Sequence, residues 1–401
     1  MKKNLLLKTF AALLLLLTTT AAAAAEPLLA LEKYTVPVGV PGAVVGRFTT
    51  EEAVTLADDP SGFFEIVNNE LKLRKKAVVT ASSPMLFEIG VACGDAQKRF
   101  TIVRDEFIRN KVVAHRGAWK GYGYHQNSRH SLRKAIELGC EGSEFDVWLT
   151  KDKYIALNHD YEYDGMIVEL SKLADMRRVV LEQGEVMATL DEYLDIIRGQ
   201  NRTRLVLELK STPANKIGLE LADAAVAMVH EMGAQAWVDY ISFDYEVLKR
   251  VRALDPTAHI AYLGAVVPMD QQKIEGMSGI DYHFSQFDNM PRLYDRARML
   301  GLTINVWTVD DPKIMERMLD MGVDFITTDE PAMLLEMIEK ELDRGLHHVK
   351  LLLPYSAAGL VDLLHQKAKV TELSYEDGGI VAQAVVDEQV FGKMRDYVVT
   401  E

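Results

Sequence analysis

Between Lys111 and Glu341, short apolar runs rich in β-branched residues alternate with longer helix-like stretches. The runs Lys111–Gly117, Ser143–Thr150, Arg204–Lys210, Trp237–Phe243, His259–Leu263, Tyr282–Phe287, Thr303–Val309 and Asp324–Thr328 read as strands. Helices are expected over Arg129–Glu137, Leu190–Arg198, Ile217–Met232, Tyr245–Leu254, Pro291–Leu300, Pro312–Met321 and Pro331–Glu341. Proline opens three of them, at the position where its fixed φ and missing N–H do no harm. Strands as apolar as Leu205-Val206-Leu207 belong in a parallel sheet covered on both faces. Eight strands in repeating β/α order predict an α/β fold, a closed (β/α)8 TIM barrel over residues 109–342.

The flanks follow other patterns. Residues 26–108 consist of short β-rich pieces, among them Phe63–Val67, Phe87–Cys93 and Arg99–Val103, separated by Gly, Pro, Asp, Asn or Ser. They predict an N-terminal all-β sandwich, a spacer or a docking module for an unknown partner. Residues 343–401 give a β-α-β-β order, a small C-terminal α+β tail. Residues 1–25 join Lys2 and Lys3 to an apolar run, Phe10–Leu17, and to small residues ending at Ala25. This is the pattern of a signal peptide, and the run is shorter than the ~20 residues of a membrane span. The mature protein is therefore expected to be exported, periplasmic or extracellular, and soluble, with no integral span after cleavage.

A formal charge of −14 argues against nucleic acid and anionic membrane surfaces as partners. It also means that an anionic substrate must be drawn in by local positive charge. Only two cysteines occur, Cys93 and Cys140, placed in different predicted domains, so no disulfide framework is indicated.

Four motifs stand where predicted strands end: His115-Arg116-Gly117, Glu144-Phe145-Asp146, His159-Asp160 and Glu208-Leu209-Lys210. Active sites of such barrels lie at that end. Residues two apart on a strand share a face, so Glu144 pairs with Asp146 and Glu208 with Lys210. Three carboxylates, Glu144, Asp146 and Glu208, form a hard oxygen set suited to one divalent cation, Mg²⁺ or Ca²⁺, rather than zinc. His115 and His159 titrate near neutrality and suit proton transfer. Arg116 can clamp a phosphate through its planar fork, and Lys210 adds a point charge. Asn127 is a candidate phosphate contact or a loop-shaping residue. Asp160 is assigned to orient His159 or cap its turn. Together these groups make a kit for metal-assisted cleavage of a phosphodiester.

Ala114-His-Arg-Gly117, Gly142-Ser-Glu-Phe-Asp-Val-Trp-Leu-Thr-Lys-Asp152, Asn158-His-Asp160, Glu208-Leu-Lys210 and Val306-Trp-Thr-Val309 resemble the glycerophosphodiester phosphodiesterase family over residues 111–337. The resemblance implies a small glycerophosphodiester substrate and products sn-glycerol 3-phosphate and an alcohol. It further implies attack by the glycerol 2-hydroxyl to give a cyclic phosphate, and a glycerol pocket lined by Trp307. One departure is visible: where the family often carries Pro-Glu-Asn-Thr, this chain has His125-Gln126-Asn127-Ser128. That bears on substrate preference more than on reaction type. Alternatives are a related lipase or lyase acting on phosphoinositide or sphingomyelin-type lipids, and a non-catalytic binding module. Residues 42–73 resemble a cadherin-type repeat without its acidic calcium motifs. The tail resembles the last domain of HflX-type GTPases, although no Gly-x-x-x-x-Gly-Lys-Ser/Thr loop is present and no GTPase activity is implied.

Overall fold

The computed structural model describes residues 28–212, 217–343 and 345–399. The expected signal peptide lies outside these residues. The chain divides into two compact units: one runs to Asp310 and includes Met318–Asp329, the other joins Asp311–Arg317 to the chain from Glu330 onward.

In the first unit, seven strands precede the barrel: β1 Thr35–Pro37, β2 Val44–Arg47, β3 Val54–Asp58, β4 Phe64–Val67, β5 Glu70–Leu73, β6 Leu86–Cys93 and β7 Ala96–Asp105. They form two sheets, β1-β7-β6-β3 and β2-β5-β4. Phe64, Leu71, Leu73, Phe87, Ile89, Phe100 and Ile102 are buried in a shared core. The predicted sandwich is present.

The barrel follows. Its eight parallel strands are β8 Val112–Ala114, β9 Gly142–Leu149, β13 Arg204–Leu209, β14 Val238–Ser242, β15 Ile260–Tyr262, β16 Gly279–His283, β17 Thr303–Trp307 and β18 Phe325–Thr328. They pair in sequence order, and β8 pairs with both β9 and β18, which closes the ring. Three short strands decorate the second β/α connection: β10 Ile155–Leu157, antiparallel to β9, and the hairpin of β11 Glu162–Tyr163 with β12 Met166–Ile167. The strand expected over Tyr282–Phe287 ends earlier, at His283, and Ser285–Asn289 is a short helix. Phe284 and Phe287 look like strand residues in sequence, but Phe287 is buried from a helix.

The β-sandwich packs on the end of the barrel where the strands begin. The backbone N–H of Ile108 donates to the carbonyl of Arg202 at 2.8 Å, ahead of β13. Phe107 meets the ring of Trp237, ahead of β14, edge-on at 6.2 Å. Lys98 Nζ lies 3.0 Å from His230 Nδ1, whose Nε2 lies 2.7 Å from Asp255 Oδ2, ahead of β15. One apolar cluster runs unbroken from Phe100 and Val103 to Leu205 and Trp237. The apolar core of this domain is thus continuous with that of the barrel.

The second unit holds the helix Pro331–Asp343 and the antiparallel sheet β19-β21-β20, from β19 Leu346–Leu353, β20 Lys369–Glu376 and β21 Gly379–Asp387. Its own core gathers Leu351, Leu353, Leu364, Ile380, Ala382, Val390 and Met394. Among the described residues no helix is long and apolar enough to cross a membrane.

Candidate functional site

The four motifs converge at the carboxyl ends of the strands. Glu208 and Asp146 are register partners on β13 and β9, as are Val206 and Glu144, so the three acids lie on two adjacent strands. Glu144, Asp146 and Glu208 are buried, and one carboxylate oxygen from each lies within 4.8 Å of the others. Lys210 Nζ stands 2.9 Å from Asp146 Oδ1 and 2.7 Å from Glu208 Oε1.

Burial and the nearby charges of Asp146 and Glu208 push Glu144 well above the ordinary glutamate range. Burial, with the charge of Asp146, pushes Glu208 up to about 8. Burial works against Asp146 too, but Lys210, His159 and the Asn127 amide outweigh it and hold that carboxyl low. Lys210, for its part, is raised despite burial, by Glu208 and Asp146. With all three acids ionised the cluster would carry more negative charge than its one lysine compensates, and the raised glutamates reflect that cost. A hard divalent cation fits both the donor set and that excess.

Two imidazoles flank the acids. His115 follows β8; its backbone N–H donates to Thr328 at 2.9 Å, and its Nδ1 lies 2.8 Å from Asp329 Oδ1. Its Nε2 faces Glu144 Oε2 at 4.0 Å. Although burial opposes its charge, the His115 imidazole holds the Asp329 carboxyl below the ordinary aspartate value. His159 follows β10, with Nδ1 2.7 Å from Asp160 Oδ1. Burial pulls its pKa below the usual imidazole value, against the charge of Asp146.

The turn after β8 is sharply built. Arg116 adopts a left-handed backbone (φ 55°) that lets its N–H donate to Glu144 Oε2 at 2.9 Å. Gly117 follows at φ 79°, and a side chain there would collide with Ser131. Ser128 and Ser131 form a reciprocal capping box that starts the helix Arg129–Leu138. Asn127, also left-handed (φ 55°), is buried behind the metal-candidate acids. Its Nδ2 donates to Asp146 Oδ2 at 2.9 Å, and its Oδ1 accepts from the Asp146 N–H at 3.1 Å. Both ends of the amide are therefore engaged by Asp146.

The pocket is lined by His115, Arg116, Glu144, His159, Glu208 and Lys210. The lining also includes the apolar Ile241, Phe243, Leu263 and Trp307, with Asp281, Thr308 and Thr327. The indole N–H of Trp307 donates to the Asp281 carbonyl at 2.9 Å, and the Phe243 ring meets Trp307 edge-on at 5.6 Å. A lining of both apolar and charged groups suits a substrate with a short carbon end and an anionic centre. The sequence reading missed Asp329 and Phe243. Both follow directly on apolar barrel strands, the same signal that marked the four motifs.

A family profile described as the glycerophosphoryl diester phosphodiesterase family matches residues 115–333. A glycerophosphodiester phosphodiesterase of Caldanaerobacter subterraneus subsp. tengcongensis is 29% identical over 226 residues, which span 53% of this chain and 90% of that protein. The crystal structure of a glycerophosphodiester phosphodiesterase from Parabacteroides distasonis superposes with a TM-score of 0.56 at 39% identity, covering 58% of this chain and 98% of that one. A structure from Silicibacter pomeroyi gives 0.51 at 25% identity, covering 59% and 94%.

Proposed function

The chain belongs to the glycerophosphoryl diester phosphodiesterase family, and from that premise we propose that it hydrolyses glycerophosphodiesters to sn-glycerol 3-phosphate and an alcohol with one divalent cation. The observation that carries this reading is the convergence of His115, His159, Arg116 and three buried carboxylates on one pocket. Glu144, Asp146 and Glu208 would hold the cation, Mg²⁺ or Ca²⁺. When bound, it would polarise a phosphoryl oxygen and stabilise charge developing there.

The protein's own groups account for the rest. Arg116 orients the phosphate through its fork of N–H donors. Asp329 and Asp160 occupy Nδ1 of His115 and His159, so each ring is left with Nε2 for proton exchange. One imidazole accepts the proton of the glycerol 2-hydroxyl as that oxygen attacks phosphorus. The other gives a proton to the departing alkoxide. The cyclic phosphate then opens to water with the two roles exchanged. The wall of Ile241, Phe243, Leu263 and Trp307 supports seating of the glycerol carbons and exclusion of bulk water. Lys210, held by two carboxylates, fixes their positions and lowers the repulsion between them.

The leader-like start of the chain supports export to the periplasm or the extracellular medium. The test of function is release of glycerol 3-phosphate from glycerophosphocholine by purified protein, first in EDTA and then with Mg²⁺ or Ca²⁺ restored. Metal-dependent turnover that His115→Ala abolishes is the expected result. A folded, metal-loaded protein inert toward a panel of glycerophosphodiesters would overturn it.

A further inference from the structure

Arg116 is pinned at its backbone: its N–H donates to Glu144, and its carbonyl accepts from the Asn127 N–H at 3.0 Å and the Ser131 hydroxyl at 3.1 Å. With the Cα fixed, the direction of the guanidinium depends on what holds the end of the side chain. That partner is Gln126, whose Oε1 accepts from Arg116 Nη1 at 2.8 Å. The ion pair of the same guanidinium, to Asp146, is longer, 3.6 Å from Nε, and Nε has no hydrogen-bond partner.

The charge balance makes the neutrality of that amide matter. Five carboxylates stand around the centre: Glu144, Asp146, Glu208, Asp329 and Asp281. Of the two cations that line the pocket among the described residues, Lys210 is held at hydrogen-bond distance by two of those acids. Arg116, whose ion pair to Asp146 is longer, is the one of these two better placed to meet an anion. A carboxylate at the position of Gln126 would take the fork in a two-pronged pair and neutralise it. An amide holds the fork in place and leaves its charge standing.

We propose that Gln126 is a positioning residue that presents Arg116 to phosphate without adding a negative charge of its own at the guanidinium, and so sets how tightly the pocket holds an anion. This deepens the phosphodiesterase reading by naming what fixes phosphate affinity, and rests on it only for the identity of the diester. Gln126 does this from the loop before the helix Arg129–Leu138 and touches no reacting atom.

The experiment titrates Mg²⁺-loaded wild-type protein, Gln126→Glu and Gln126→Met with inorganic phosphate by calorimetry, at low and moderate salt. Mg²⁺ binding to each variant is measured first, as a control for an intact centre. Gln126→Glu is expected to weaken phosphate binding about 10-fold or more and to flatten its salt dependence. Gln126→Met, which loses the hydrogen bond but adds no charge, is expected to lose only a few-fold and keep the salt dependence. The KM for glycerophosphocholine should rise in the same order. Phosphate binding within two-fold of wild type in Gln126→Glu, equal losses in the two variants, or no phosphate binding by the wild type would each overturn the proposal. Phosphate binding that follows the expected order, in a protein that turns over no glycerophosphodiester, would leave it standing and remove the phosphodiesterase reading instead.

Discussion

His115 and Asp329 are 214 positions apart in the chain, yet His115 Nδ1 lies 2.8 Å from Asp329 Oδ1. They face each other across the seam where the first and last barrel strands pair. In the proposed mechanism the carboxylate fixes which nitrogen carries the proton and holds the ring for exchange at Nε2. Asp329→Asn should therefore lower kcat by roughly 10²-fold or more while KM changes by less than about 5-fold. Steady-state kinetics on glycerophosphocholine, with metal affinity measured alongside, checks this. A matching loss of metal affinity would move the role from the imidazole to the cation site.

Removing either imidazole should be costlier still. His115→Ala and His159→Ala are each expected to lower kcat by about 10²–10⁴-fold. Thermal unfolding should shift little, since both rings sit at strand ends and not in the core. A variant retaining a tenth of wild-type turnover would exclude that histidine from proton transfer.

Metal binding should register as stability. The three buried acids repel one another, so a cation bound only by the folded state raises the unfolding midpoint, by about 2.7 kcal/mol of added stability at 100 times Kd. Scanning calorimetry with Mg²⁺, with Ca²⁺ and with EDTA reads it directly. In Asp146→Asn with Glu208→Gln the metal-induced rise should vanish.

Asn127→Ala should leave the pocket walls intact but free Asp146 from its clamp. Groups that hold a ligand from behind are typically worth 10–100-fold in metal affinity. We expect Mg²⁺ affinity to fall in that range, with turnover restored at high Mg²⁺. Loss of turnover that no metal concentration recovers would assign Asn127 to the substrate.

The sandwich–barrel junction predicts a pH effect far from the site. Burial lowers Lys98 to about 8, against the favourable charge of Asp255. A lysine whose folded pKa lies below its unfolded value makes the unfolded state bind more protons between those two values. Stability contributed at Lys98 should thus rise as pH climbs from about 8 toward 10.5. The gain is on the order of 1–3 kcal/mol relative to Lys98→Met. Urea unfolding of both proteins across that window measures it, and parallel curves would rule it out.

The barrel and its four motifs were legible because parallel strands buried on both faces are written as apolar runs, and charged residues directly after them stand out. Asp329 carried the same signature after Phe325–Thr328 but lies in a Thr-Thr-Asp-Glu stretch that reads as an ordinary polar turn. The support that Asn127 gives Asp146 was not legible, since it depends on a left-handed backbone that turns the amide inward. Nor could the sequence show the sandwich seated on the barrel, because Lys98 and His230 meet only in three dimensions. Glu330 and the helix Pro331–Asp343 group with the C-terminal sheet.

Closure of the ring has a consequence for when the protein becomes competent. A chain synthesised as far as Trp307 already contains His115, His159 and all three metal-candidate acids, yet it lacks Asp329 and the strand that seats His115. Until Phe325–Thr328 docks beside Val112–Ala114, that imidazole lacks both the Thr328 and the Asp329 hydrogen bonds. On the proposed mechanism, chemistry is thereby made conditional on completion: a nascent or truncated chain would carry nearly every reactive group and still be unable to cut.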